Sequence, residues 1–161
     1  MNEEITITKE ERILFIINDN LISGSVRFQK YGFLLHKQYQ KELMEISMSC
    51  PTFDFYKDWK PYHYGPYSQE LQNDMDKCEN NDMLDKKIIP TQRNKSLHTY
   101  ALTIKGRKRW RGLFLHIPEM REIDQKIKNL QKMPYNELIR RVYNTYPEYT
   151  KISKIRESMD L

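Results

Sequence analysis

YSQELQNDMDKCENNDMLDKKIIPTQRNKSLHTYALTIKG, residues 67–106, changes its period part way along. Tyr67, Leu71, Met75 and Cys78 are spaced by four, four and three, which puts them on one helical face. Beyond Asp85 the pattern shortens: Ile88-Ile89 and Thr99-Tyr100-Ala101-Leu102-Thr103 are β-prone runs separated by the polar stretch Thr91 to Ser96. The spacing predicts one helix over 67–85 and an antiparallel hairpin over 86–104. Pro66 is expected in the first turn of that helix, where a missing N–H costs nothing. Thr103 is suited to cap a following helix, Gly106 to permit the turn into it, and the helix to run from about Arg107 through Trp110, Leu113 and Phe114.

Upstream, Thr8-Lys9-Glu10-Glu11 has the form of a capping box and opens a helix carrying Ile13, Leu14, Phe15 and Ile17. After a turn at 20–24, Ser25 is expected to cap a second helix. Its apolar positions Phe28, Tyr31, Leu35 and Tyr39 step by three or four, widened by Phe33 and Leu34. Residues 41–50 extend that helix or form a short third one. Residues 51–66 are rich in aromatics and broken by Pro61, Gly65 and Pro66, and are expected to be irregular or extended. Downstream, Pro118 and Pro134 each start an amphipathic helix, the first striped by Ile123, Ile127 and Leu130, the second by Leu138, Ile139 and Val142. The expected organisation is a domain over 1–116 and a helical extension over 117–161. The Ile123, Ile127 and Leu130 stripe is expected to bury against a second copy, giving a homodimer.

Three helices and then a hairpin ending Tyr100-Ala101-Leu102-Thr103-Ile104-Lys105-Gly106 follow the order of a winged helix-turn-helix. The run Tyr-x-Leu-Thr-x-x-Gly resembles the wing exit of PadR-type and MarR-type regulators. Tyr64-Gly65-Pro66-Tyr67-Ser68, with Leu71, Asp74 and Met75, resembles the corresponding segment of small prokaryotic winged-helix proteins that include the Panacea antitoxin domains. Phe28-Gln29-Lys30-Tyr31 with Leu34-Leu35 is similar to the helix that precedes it there. The resemblance covers roughly residues 8 to 114. It implies an α+β, mainly helical fold with a winged helix-turn-helix core and a C-terminal helical extension. Since winged helices serve many roles, it implies function by analogy only.

Charge is segregated along the quoted segment. Tyr67 to Asp85 holds six acids and one base, a net −5, whereas Lys86 to Gly112 holds nine bases and no acid, a net +9. The helix before the hairpin is the one that enters a major groove in this fold, and a net −5 there meets phosphate repulsion. The hairpin and the helix after it offer Lys86, Lys87, Arg93, Lys95, Lys105, Arg107, Lys108 and Arg109 to the backbone of duplex DNA, with Arg93 able to enter a minor groove. Equally, acidic helix and basic hairpin neutralise each other, or are solvated faces. Two functions follow: a DNA-binding transcriptional regulator using the basic residues, or an antitoxin-like module that takes a protein partner on Glu70, Asp74, Trp59, Tyr62 and Tyr67. The aromatics from Phe53 to Tyr67 are expected to be mainly core laid under a loop, rather than a stacking platform for single strands.

Composition excludes other classes. With 39% hydrophobic and 30% charged residues in 161, the chain is globular. Its net charge of +5 permits nucleic-acid contact without demanding it. No apolar run reaches membrane-spanning length and the acidic start, Met1-Asn2-Glu3-Glu4, is unlike a signal peptide, so a cytoplasmic location is expected. Cys50 and Cys78 form no metal pair and are expected as free thiols. His36, His63, His98 and His116 lack ligand spacing. No hydrolase, metalloprotease or phosphate-loop motif occurs, so neither catalysis, metal nor cofactor is expected.

Overall fold

Phe28 to Leu35 are buried on every side, which makes the helix that carries them, α2 (Ser25–Gln38), the axis of the molecule. This computed structural model describes residues 6–92 and 96–153. A helix buried on every side belongs at the centre of a protein, and the other elements are laid around α2. A Cβ on Gly32 would stand 3.1 Å from Ile16, 3.2 Å from Trp59 and 3.4 Å from Leu71, so three elements close on one point of its backbone.

The chain enters through a 3₁₀ turn, Lys9–Ile13, that runs straight into α1 (Leu14–Ile17). The Thr8 backbone N–H donates to Glu11 Oε1 at 2.8 Å, as the capping box requires. A two-residue strand, β1 (Ile22–Ser23), follows in the stretch expected to be a turn. Gly24, at φ +100°, is the cap of α2, and Ser25 is already helical. Residues 40–49 form a separate helix, α3 (Gln40–Ser49).

The aromatic stretch folds into a loop ending in a small hairpin, β2 (Lys60–Tyr62) with β3 (Gly65–Tyr67). Pro66 therefore lies in a strand and not in a helix. It faces Pro61 across a two-stranded ribbon, where no further strand needs the N–H that either lacks. α4 (Gln69–Asn80) is shorter than the expected 67–85 at both ends. Ser68 caps it by accepting from the Leu71 N–H at 3.0 Å, and Asp58 accepts from the Glu70 N–H at 3.1 Å. Asn80-Asn81-Asp82 ends it, with Asp82 at φ 61°, a left-handed conformation that Asp tolerates better than most residues.

β4 (Leu84–Pro90) and β5 (Ser96–Leu102) form the expected antiparallel hairpin, in register from Leu84↔Leu102 to Pro90↔Ser96. β1 pairs with the other edge of β5, so the three-stranded sheet has the order β1-β5-β4. Thr103 caps α5 (Ile104–His116), accepting from the Gly106 N–H at 3.0 Å. Gly106 lies inside this helix rather than at a turn. A Cβ there would overlap the Met83 carbonyl oxygen, so the residue is small because α5 crosses the backbone at Met83, just before β4.

α6 (Met120–Gln131) and α7 (Tyr135–Thr145) close the same hydrophobic core, and a 3₁₀ turn, Pro147–Tyr149, follows. Ile123, Ile127 and Leu130, the stripe expected to meet a second copy, are buried within the chain at 1%, 0% and 1% exposure. That expectation is corrected: α6 spends its apolar face on the chain's own helices. Gln131 also donates to the Ile16 carbonyl at 2.9 Å, closing the C-terminal end of α1.

Arg12 ties the entry turn to α4. Its guanidinium contacts Asp74 Oδ2 at 2.8 and 3.0 Å, donates to the carbonyls of Lys9 at 2.8 Å and Asp54 at 3.0 Å, and lies over the Tyr56 ring. The Tyr56 hydroxyl donates to the same carboxylate oxygen at 2.6 Å. Asp74→Asn should cost about 3–5 kcal/mol in urea unfolding, because it strands a buried guanidinium. The double variant Arg12→Met, Asp74→Leu should regain most of that loss, and a loss equal to or greater than that of the single variant would contradict this account.

Candidate functional site

Three of the six acids of the 67–85 segment are paired with bases of the same chain. Asp74 is buried against Arg12 and Tyr56. Burial lifts its carboxyl above the usual range, against the hydrogen bond from Tyr56 and the charge of Arg12. Glu70, half-buried, pairs with Lys9 at 3.5 Å and Arg12 at 3.8 Å. Glu79 pairs with Lys86 at 3.5 Å. Asp82 and Asp85 lie beyond the helix, in the turn and in β4. What α4 presents to solvent is Gln69, Asn73, Asp76, Lys77 and Asn80, a row at helical spacing in which one acid stands beside one base. Gln69 and Asn73 are hydrogen-bonded to each other at 2.9 Å on this face. Amide side chains so placed can donate and accept at base edges.

The basic residues separate into two groups. Lys87 and Lys108 are exposed, and their side chains make no hydrogen bond or ion pair among the described residues. Lys86 and Arg107 hold partly exposed carboxylates, Arg107 reaching Asp19 at 3.3 Å, and pairs of this kind exchange for another anion at small cost. Lys105 and Arg109 are committed to the fold. Lys105 donates to the Asn81 carbonyl at 2.8 Å, fastening α5 to the end of α4. Arg109 binds Glu11, at 3.0 Å to Oε1, and the Thr6 carbonyl. Burial opposes ionisation of Glu11, yet the hydrogen bonds from Arg109 and Thr8 hold its carboxyl below the usual range. Arg93 and Lys95 lie outside the described residues.

Of the residues expected to meet a protein partner, the structure places Asp74 and Trp59 in the core, out of reach of any surface. Trp59 donates from Nε1 to the Tyr56 carbonyl at 3.0 Å. Phe53, Phe55 and Tyr56 are buried with it, as expected of a satellite core. Tyr62 and Tyr67 stand together, ring centroids 5.0 Å apart, with Tyr62 exposed and Tyr67 half-buried.

These two tyrosines wall a cavity of about 200 Å³ between the start of α2, the β2–β3 hairpin and Gln72 of α4. Lys30 lines it, with 1% of its surface exposed. Its ammonium donates to the Tyr64 carbonyl, and that is the one acceptor the described residues give it. Burial pulls its pKa down to about 7, with no carboxylate among the described residues to hold it up. Gly65 makes room for it: a Cβ there would meet Lys30 Nζ at 3.2 Å and the Tyr143 ring at 3.1 Å. Lys30 was not among the residues expected to carry function. The signal was available, since a lysine flanked by Phe28, Tyr31, Phe33 and Leu34 lies on the apolar run of its helix, away from water.

Comparison of the chain with protein-family models, with curated proteins and with solved structures gives no match. Among the described residues no group of three His, Cys, Asp or Glu is placed to hold a metal, no helix is long and apolar enough to cross a membrane, and Cys50 and Cys78 are buried free thiols.

Because the folded chain holds the Lys30 proton less tightly than the unfolded chain, the unfolded state binds more protons between the two pKa values. The contribution of Lys30 to stability therefore rises as pH rises above about 7, by up to about 1.4 kcal/mol per pH unit. The stability of the native chain relative to Lys30→Met, read from urea midpoints, should improve by about 2–3 kcal/mol from near pH 7 to near pH 9. A difference that does not change with pH would show that the lysine is already paired or solvated.

Proposed function

We propose that the chain is a winged-helix protein that binds duplex DNA, with α4 entering the major groove and the β4–β5 hairpin acting as the wing beside it. The observation that carries this reading is the fate of the α4 acids. In the sequence they argue against a groove-reading helix. In the folded chain Glu70, Asp74 and Glu79 are each paired with a base of the same chain, and the exposed row is amide-rich with Asp76 beside Lys77. The element order supports the same reading: helices precede a hairpin whose second strand lies between the first strand and its own partner, β1-β5-β4. So does the resemblance carried by Tyr64-Gly65-Pro66 and by Tyr100 to Gly106. Phosphate contacts then fall to Lys87 and Lys108, joined by Lys86 and Arg107 once they leave their exposed partners.

An antitoxin-like module that binds a protein partner is favoured by one feature. The hairpin exposes Ile88 at 61%, Ile89 at 46% and Leu97 at 37%, more apolar surface than a wing gripping phosphates needs.

Fluorescence anisotropy on a mixed-sequence duplex, titrated at several salt concentrations, separates the two. Each neutralised phosphate steepens the dependence of log K on log salt by about 0.9, so four contacts give a slope of roughly −3.6. Lys87→Ala and Lys108→Ala should each shallow it by about one. Asn73→Ala should reduce preference among sequences with the slope unchanged. A slope unaltered in the lysine variants, or retention of DNA-independent capture by a protein that Ile88→Ser with Ile89→Ser abolishes, would transfer the function to the alternative.

A further inference from the structure

We propose that the cavity between α2 and the β2–β3 hairpin is a binding site for a small carboxylate with a flat apolar body, its carboxylate seated on Lys30. Four observations lead there, none of which involves DNA.

The first is the unbalanced charge. A lysine ammonium has three N–H groups, and Lys30 has one acceptor among the described residues, the Tyr64 carbonyl. Buried cations are ordinarily paired with an anion, because leaving water costs several kcal/mol. Among the described residues no carboxylate is hydrogen-bonded or ion-paired to this one. The titratable groups around it are phenols: Tyr62, Tyr64 and Tyr67 on the hairpin, and Tyr143 from α7, which packs at Gly65. Burial accordingly lowers the Lys30 pKa to about 7.

The second is that the other polar group deep in the site is already spent. Gln29 donates to the Ser68 carbonyl at 3.0 Å and accepts from the Ser68 N–H at 2.8 Å, so both ends of its amide serve the backbone that leads into α4. Lys30 is the one cationic donor among the described residues that line the site. The third is the wall. Val26, Pro66 and the rings of Tyr62 and Tyr67 give the cavity an apolar lining suited to a flat hydrocarbon body. The fourth is size. A volume of about 200 Å³ is below the ~300–1,000 Å³ of sites for drug-sized molecules, and an apolar cavity of ~150 Å³ is known to hold one benzene ring. A single ring with one carboxylate fits both limits.

Lys30 also explains itself poorly as a structural residue. A methionine would fill the same space without a desolvated charge, and a group that costs stability where a hydrophobe would serve is the mark of a functional site.

Benzoate is the probe, with benzamide as its uncharged counterpart, both titrated by calorimetry against the full chain. Carboxylate binding raises the Lys30 pKa, so affinity should fall as pH rises above about 7, by up to about tenfold per pH unit. Benzamide should bind at least tenfold more weakly near pH 7 and show no such fall. Lys30→Met should abolish benzoate binding while stabilising the fold. If that variant misfolds, the native pH profile and a benzoate-induced shift of the Lys30 side-chain resonances carry the test. No saturable binding of benzoate, binding equal to that of benzamide, or binding indifferent to pH would each overturn the assignment, whether or not the chain binds DNA.

Discussion

The contact between Arg12 and Asp74 is the constraint on which the rest of the architecture depends. It joins an entry turn at the N-terminus to a helix more than sixty residues later, with both side chains almost wholly buried. A buried ion pair is tolerated only when its remaining donors and acceptors are used. Here the Lys9 and Asp54 carbonyls, the Tyr56 hydroxyl and the Tyr56 ring take up most of them, and Arg12 Nη2 is left with its ion-pair contact to Asp74 alone. That requirement fixes the aromatic loop against α4 and so delivers the chain to the β2–β3 hairpin. The same pair has an electrostatic consequence. By drawing Asp74 inward and holding Glu70 at its edge, Arg12 changes α4 from a helix that repels phosphate into one that is close to neutral on its open face.

Much of the fold was legible because it is local. The Thr8–Glu11 reciprocity, the Thr103 cap, the breaking prolines before α6 and α7 and the change of period into the β4–β5 hairpin all rest on residues a few positions apart. What escaped depends on distance. β1 is two residues long and is a strand only because β5 lies beside it. Pro66 has the credentials of a helix start, but the pairing of Lys60 with Tyr67 claims it first, and Ser68 with Asp58 supplies the cap instead. The Ile123, Ile127 and Leu130 stripe has the period of a helix interface, and period alone does not tell whether the other side is a second copy or the chain's own α1 and α2.

The candidate site follows the same division. Lys87 and Lys108 are exposed as their sequence context suggests. Asp74 and Glu70 belong to an acidic row that reads as a solvated face, and the base that neutralises them lies far away in sequence. Arg109 reads as a phosphate contact, yet it serves the entry turn by holding Glu11. Lys30 shows the opposite error. In the sequence it stands within the Phe28 to Tyr31 run with no role of its own, whereas in the fold α2 encloses it with 1% of its surface exposed.

The neutral, amide-bearing face of α4 is the central claim, and amide chemical-shift mapping on isotope-labelled protein titrated with a short duplex tests it most directly. The account predicts that the backbone amide signals of Gln69, Asn73, Lys77 and Asn80, and the side-chain amide signals of Gln69, Asn73 and Asn80, move together with the backbone signals of Lys86, Lys87 and Lys108, while Arg12 and Asp74 stay in place. Shifts that avoid α4 altogether, or that break the Arg12 to Asp74 contact, would contradict it.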